Sequence, residues 1–589
     1  MHKRPAVLAV ALAMAACGGP SPNQQANPAA DSGTAHPLPA PVILPSEPFA
    51  TAPAMAFPAP AAPAAKAGRA EAQAKAQADA RAPLHLGPRG THAAIAARQP
   101  QPDWRAGPAR ERYGAIEENG VQQVAQAPVS TFGIDVDTGS YSNVRRLLNA
   151  GRLPPADAVR VEEMVNYFPY DYAPPRDGRP FAVHAEAAPA PWQAGNVLLR
   201  IGIKAADTAR ASLPPANLVF LVDVSGSMYS ADKLPLLKSS LKLLTGALRP
   251  QDRITLVTYA SGTRVALPPT PGSDKTAIAA AIDALVAGGA TAGASGIALA
   301  YQAAQQSFIA GGINRVLLAT DGDFNVGVTD FRELKAMVAE KRRSGVSLST
   351  LGFGTGNYND QLMEQLADAG DGAYSYIDNL MEGRKVLVEE MSSTLATVAR
   401  DVKIQVEFNP ATVSEYRLIG YENRALKRED FNNDQVDAGD IGAGHTVTAL
   451  YELTLAGRPG LIDPLRYQRA PAASGNAGEL AHVKLRYKRP QAQASELLEL
   501  AVPAGAVRPL AQAGDAFRFA AAVAGFGQLL RGGSHAGAWR YADARALALG
   551  ARGDDRFGYR GEFLQLVDLA QALSTHAPLA QGDGPAPRP

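Results

Sequence analysis

A single cysteine, Cys17, occurs in the 589 residues, so no disulfide can form within the chain. Histidine is also sparse. His184, His445, His482 and His535 are scattered along the sequence, a pattern that reads as structural or surface use. The chain has no His-Glu-x-x-His, no paired-cysteine motif, no Gly-Lys-Ser phosphate loop and no Gly-x-Ser-x-Gly elbow. Ser230-Ala231-Asp232-Lys233 matches Ser-x-x-Lys but lacks the Ser-Asp-Asn and Lys-Thr-Gly that would accompany it, and reads as chance. These absences leave no nucleophile with its base and argue against an enzyme. No segment approaches the roughly 20 uninterrupted apolar residues of a membrane helix. Charge of either sign is nearly balanced, with a formal net of +1, which argues against nucleic acid as partner.

What is present is apolar content of 46%, enough for several cores, and one distinctive turn. The run Leu218-Val219-Phe220-Leu221-Val222 ends in Asp223-Val224-Ser225-Gly226-Ser227 and leads into a helix-like segment. A strand-to-helix turn in an α/β sheet lies at the carboxyl edge, and alternate residues of an extended turn point the same way. Asp223, Ser225 and Ser227 therefore offer three hard oxygens to one ion, a set suited to Mg²⁺, Mn²⁺ or Ca²⁺. Two later segments supply further oxygens. Thr291 follows Gly288-Gly289-Ala290, and Asp321 follows the apolar run Val316-Leu317-Leu318-Ala319-Thr320.

Asp-x-Ser-x-Ser, a loop Thr and Thr-Asp-Gly, in this order, resemble the metal-ion-dependent adhesion site (MIDAS) of von Willebrand factor type A (VWA) domains. Arg253–Tyr259 and Val346–Gly354 read as further strands, and Lys233–Leu248, Asp274–Leu285, Ala294–Phe308 and Asp330–Arg343 as helices. The expected fold class is α/β, a Rossmann-like VWA domain over 215–398 with a parallel sheet covered by helices on both faces. The resemblance implies Asp223, Ser225, Ser227, Thr291 and Asp321 around a divalent cation, Mg²⁺ first, with Mn²⁺ and Ca²⁺ as alternatives. Two carboxylates and three neutral hydroxyls leave such an ion short of negative charge, so a partner's Asp or Glu can take an open position. Asp323 is the nearest candidate base for the alternative of a metal-dependent hydrolase; a metal-independent scaffold is a further alternative.

The first residues, His2-Lys3-Arg4, an apolar stretch from Ala6 to Ala13, and Met14-Ala15-Ala16-Cys17, are similar to a bacterial lipoprotein signal. The resemblance implies a signal peptide over 1–16, lipidation of Cys17 and attachment to a membrane. Gly18 is not the Asp that such lipoproteins use for inner-membrane retention, so the expectation is the outer membrane, facing periplasm or surface. Partners would then be envelope or extracellular proteins presenting Asp or Glu. Residues 17–126 are rich in Ala, Pro and Gln and read as the lipidated cysteine followed by a disordered tether.

Ordered sequence is expected to resume with a helical segment over 127–175, where Val129–Ser142 and Val161–Phe168 resemble the amino-terminal block of the YfbK-like group of VWA lipoproteins. Within it Asp135-Val136-Asp137-Thr138 echoes the metal turn and reads either as a second cation site or as a polar turn capping the next helix. Alternating segments predict β structure at 176–214 and 399–505, a sandwich if early and late strands pair. A helical region is expected over 510–578 and a disordered tail over 579–589. In that region Phe563, Leu566, Val567 and Ala570 form a core-facing stripe.

Overall fold

Aliphatic runs with side chains buried on both faces, and segments that alternate, sort into different sheets. A computed structural model describes residues 111–576 apart from 177, 292, 323–330, 391–395, 464–477 and 491, all within one unit, Asp103–Pro589. The signal segment, Cys17, the tether before 111, Asp323 and the 579–589 tail lie outside the described residues. β1 (Gln122–Gln123) and β2 (Val129–Gly133) precede two helices, Gly139–Asn149 and Val161–Asn166; β3 (Phe181–Pro189) and β4 (Asn196–Ala205) follow.

The central layer contains β5 (Ala216–Asp223), β6 (Arg253–Tyr259), β7 (Thr263–Pro271), β8 (Ile313–Thr320), β9 (Ser347–Phe353) and β10 (Tyr374–Ile377), in the order β10-β9-β8-β5-β6-β7. Every neighbouring pair is parallel except β7 on β6. The sequence-based parallel sheet thus gains an antiparallel edge strand. β7 carries Pro268, Pro269 and Pro271, which an edge tolerates because it needs fewer ladder donors. Side chains of β5 alternate between the faces. Phe220 and Val222 pack with Leu237, Leu241, Ile278 and Ile282 of helices Leu234–Ala247 and Lys275–Asp283. Val219 and Leu221 pack with Ile297, Tyr301, Val338 and Leu366 on the other side.

The chain then builds β11 (Thr397–Phe408), β12 (Val413–Ile419), β13 (Ile441–Gly442), β14 (Thr446–Leu455), β15 (Glu479–Lys488) and β16 (Ser495–Pro503). Early and late strands pair directly. One sheet runs β1-β12-β14-β4-β3, and the other runs β13-β11-β15-β16 with β2 also on β11. Between them lies a core that includes Phe132, Ile201, Ile203, Ile404, Val406, Tyr451, Val483 and Leu485. Each such buried aliphatic side chain contributes about 1.5–3 kcal/mol. The VWA domain is therefore inserted between β4 and β11 of a sandwich whose two sheets both draw strands from before and after it.

Helices Asp515–Leu530, Tyr541–Leu549 and Tyr559–His576 join Val161–Asn166 on the outer face of the β4-containing sheet, against Leu198, Ile419 and Leu450. Phe563, Leu566, Val567 and Ala570 are buried there, as their spacing predicts.

Three expectations for the amino-terminal region change. Residues 111–126, assigned to the tether, are part of the folded body: β1 pairs with β12, Val124 is buried, and Glu111 pairs with Arg146 at 2.9 Å. Of its larger apolar residues Tyr113, Ile116, Val121 and Val124 only Val124 is fully buried, and a single buried position carries no periodicity, so the docking is invisible locally. The block after 127 is not purely helical, because β2 adds to β11. Asp135 and Asp137 do not cap the helix Gly139–Asn149. Its N-cap residue Thr138 makes no side-chain cap bond, and the Ser140 N–H donates to Glu163 Oε2 at 2.7 Å. The two aspartates instead accept from Arg424 Nη2, at 3.1 and 3.0 Å, so a guanidinium of the chain itself occupies the position a second cation would have taken.

His445 precedes β14, and its carbonyl accepts from Ala205 N at 2.9 Å. The ring is half-buried, and its Nδ1 is shut from solvent without a hydrogen-bond partner. Burial, with Lys385 and Lys204 adding to it, pushes the imidazole down to about 4. The folded state keeps the ring neutral where an unfolded chain protonates it near 6.5. Its contribution is therefore full above pH 6.5 and is lost as pH falls toward 4, on the order of 2 kcal/mol. Urea midpoints from pH 7 to 4.5 should fall less steeply for His445→Gln than for the parent; identical slopes would contradict this.

Candidate functional site

β5 is the central strand and is buried along its whole length, which brings Asp223 to the sheet's carboxyl edge with no solvent exposure. The turn after it is fixed by backbone bonds from two sides. Val224 N donates to Tyr259 O at 3.0 Å, Gly226 N to Gly289 O at 2.9 Å, and Gly288 N to Val224 O at 2.8 Å. The last two draw the Gly288–Thr291 loop onto the Asp223–Ser227 turn. Gly289 adopts φ +89°, and a Cβ there would lie 2.6 Å from Ser261 Oγ, so this approach requires glycine. Thr291 itself is buried.

Within the turn Ser225 N donates to Asp223 Oδ1 at 2.8 Å, and the Ser225 and Ser227 hydroxyls are 3.0 Å apart. Met228 is buried and anchors the short 3₁₀ helix Gly226–Tyr229, while Tyr229 is 82% exposed. Asp223 Oδ2 accepts from Thr320 Oγ1 at 2.7 Å and from Tyr259 OH at 3.2 Å. Burial pushes the Asp223 carboxyl up to about 6, with bonds from Ser225 and Thr320 opposing and the Asp321 charge adding. The Tyr259 phenol is driven well above its usual range by burial, with the Asp223 charge adding.

Asp321 is equally buried one residue past β8. Its Oδ2 accepts from Lys233 Nζ at 2.9 Å and from Asn357 Nδ2 at 3.1 Å, and Lys233 Nζ also donates to Asn357 Oδ1 at 2.8 Å. Asp223, Ser225, Ser227, Thr291 and Asp321 thus come from three loops that meet at one end of the sheet. Among the described residues no group of three or more His, Cys, Asp or Glu side chains gathers as a metal cluster. Two carboxylates and three hydroxyls are all hard oxygens and fit Mg²⁺ rather than zinc or copper.

Sequence reasoning missed Thr320, Tyr259, Asn357 and Lys233. Thr320 was visible beside Asp321, but its hydroxyl turns inward to Asp223. Lys233 was read as the start of a helix and within a chance Ser-x-x-Lys match; Ser230 Oγ in fact bonds Asp232, and Lys233 reaches the site alone.

This arrangement is that of a VWA domain. The family profile "von Willebrand factor type A domain" matches residues 217–389, "von Willebrand factor" matches 107–200, and "Uncharacterized protein YfbK, C-terminal" matches 393–573. The uncharacterized protein YfbK of Escherichia coli (strain K12) is 52% identical over 480 residues, 80% of this chain and 82% of the relative. The chain belongs to the YfbK family of VWA proteins. Solved structures similar to it include a von Willebrand factor type A protein from Catenulispora acidiphila, with 18% identity, TM-score 0.36, and 67% of this chain and 91% of that one covered. Another is the ArnB paralog VWA2 from Sulfolobus acidocaldarius, with 14% identity, TM-score 0.34, and coverage of 67% and 98%.

Thr320→Val keeps the shape of the β8 terminus but removes the donor to buried Asp223 Oδ2 and the acceptor of Gly322 N. Asp223 Oδ2 keeps only the longer bond from Tyr259 and Gly322 N loses this acceptor, a loss of about 1–3 kcal/mol. Chemical denaturation of the cation-free protein should show that loss; a change under about 0.5 kcal/mol would mean that this bond does not hold the carboxyl.

Proposed function

We propose that this chain is a lipid-anchored cell-envelope protein that binds a divalent cation, Mg²⁺ first, at Asp223, Ser225, Ser227, Thr291 and Asp321, and there captures an acidic group of another protein. The observation that carries this reading is the convergence of the Asp223–Ser227 turn, the Gly288–Thr291 loop and Asp321 at one sheet edge, tied by the Gly226–Gly289 and Gly288–Val224 bonds. Asp223 and Asp321 supply the charge, and Ser225, Ser227 and Thr291 supply neutral oxygens. When bound, the cation would supply a Lewis-acidic position for a partner carboxylate. Exposed Tyr229, in the same turn, offers a ring to flank that carboxylate. VWA domains often mediate protein–protein contacts, which agrees with this role. The envelope location rests on the resemblance of residues 1–17 to a lipoprotein signal, and the outer membrane on Gly18.

A metal-independent scaffold in an envelope complex is the second reading. Lys233 favours it, because an ammonium already partners Asp321.

The test is the melting temperature of the purified protein against Mg²⁺, Mn²⁺ and Ca²⁺, beside Asp223→Ala. At a hundredfold excess over Kd the parent should gain about 2.7 kcal/mol and the variant nothing. Equal curves for both proteins with all three ions would remove the cation from the mechanism and leave the scaffold. Membrane fractionation of Cys17→Ser checks the anchor: release from the membrane supports it, and unchanged partition counts against it.

A further inference from the structure

Lys233 is a buried charge beside a cation site, and its placement is built into the fold from two directions. Its side chain is 6% exposed, and its Nζ bonds both Asp321 Oδ2 and Asn357 Oδ1. Its stem runs along Gly354, which has φ +80°; a Cβ there would come within 2.2 Å of Lys233 Cγ and 2.3 Å of its Cε. Only glycine leaves the lysine its channel. The carbonyl of Gly354 is in turn held by Tyr376 OH at 2.7 Å, so the channel wall is fixed as well.

Stability alone does not account for this arrangement. A buried ion pair roughly breaks even against the cost of desolvating both charges, and an apolar pair of similar volume often serves as well. The position matters more than the pair, because the ammonium holds one of only two carboxylates in the predicted ligand set. Two carboxylates and one ammonium leave a single negative charge at the site. A bound divalent cation turns that into a single positive charge. Without the lysine the loaded site would already be neutral and would have no electrostatic demand for another anion.

We propose that Lys233 is a positioning residue that sets the charge of the site: it holds the affinity for the bare cation down and makes an anionic group from outside the chain the ligand that completes it. This inference rests on the cation-binding reading above and adds the reason why the partner must be acidic. A neutral amide or hydroxyl from a partner would leave the excess positive charge buried and uncompensated, whereas a carboxylate cancels it. A compact ammonium suits this role because it acts as a point charge on Asp321.

The test uses the full-length protein with Mn²⁺ as probe, its free concentration followed by electron paramagnetic resonance, for the parent, Lys233→Gln, Lys233→Arg and Asn357→Asp. Lys233→Gln removes the charge. Asn357→Asp keeps the lysine but cancels its charge, which guards against a folding defect in the first variant. Both should bind Mn²⁺ about tenfold tighter, the effect of a monovalent–divalent repulsion across several ångströms even at the dielectric of bulk water. Lys233→Arg should stay near the parent. Glutarate is then titrated against the Mn²⁺-loaded proteins, read by water-proton relaxation. It should bind Lys233→Gln and Asn357→Asp about threefold more weakly than the parent, since a carboxylate carries half the charge of the cation.

If the parent binds Mn²⁺ and neither charge variant binds it more tightly, the inference is overturned while the cation site stands. Binding by the charge variants alone would show the lysine excluding the ion, which supports its charge-setting role and returns the parent to the scaffold reading. No Mn²⁺ binding by any of the four proteins overturns both.

Discussion

A charge taken out of water must be paired, and in this chain the partners are supplied by segments remote in sequence. Arg145, in the helix Gly139–Asn149, bonds Asp378 and Glu382 at the end of the VWA sheet and Glu562 in the last helix. Arg160 joins Glu163 to Asp360 of the VWA domain. Arg424, in the sandwich, holds Asp135 and Asp137 from the amino-terminal segment and Asp368 from a VWA helix. Removing Arg145 or Arg424 strands carboxylates from two other parts of the fold, and removing Arg160 strands Asp360 of the VWA domain together with its own neighbour Glu163. The amino-terminal block, the inserted domain and the sandwich therefore dock in one arrangement. Apolar packing alone would specify that arrangement less sharply, because hydrophobic contact is non-directional.

The same constraint governs the site. Asp223 and Asp321 are both without solvent exposure, and each has its own solution. Asp223 takes neutral hydroxyls and a backbone N–H, and its carboxyl is pushed up to about 6 by burial. Asp321 takes an ammonium. One carboxylate is therefore held by neutral donors while the other is already charge-paired. That asymmetry separates this centre from a symmetrical two-carboxylate clamp, and it underlies both the cation reading and its scaffold rival.

What the sequence disclosed, and what it hid, follow from the range of the interactions. Asp223, Ser225 and Ser227 were legible because a buried strand and its turn are local patterns, and the stripe Phe563, Leu566, Val567 and Ala570 was legible for the same reason. Pairing of early with late strands was legible only as a condition, since the register of β4 on β14 joins residues such as Ile201 and Ala449 across the whole inserted domain. The partner of Asp135 and Asp137 is nearly 300 residues away, so a turn that locally resembles a cation loop turned out to hold an arginine. Lys233 escaped because a single lysine before an apolar helix carries no periodic signal; only the fold brings Gly354 and Asp321 to it. Residues 111–126 were hidden for a similar reason, being held largely by backbone pairing and by isolated contacts.

The central claim is that oxygens from three loops hold one divalent ion at the end of β5. The most direct measurement is anomalous X-ray diffraction from crystals of the protein grown with Mn²⁺. The account predicts a single anomalous peak bound by the Ser225 and Ser227 hydroxyls, with Asp223, Thr291 and Asp321 around it and Lys233 still against Asp321. A map with no peak there, at saturating Mn²⁺ and with the loops ordered, would contradict it.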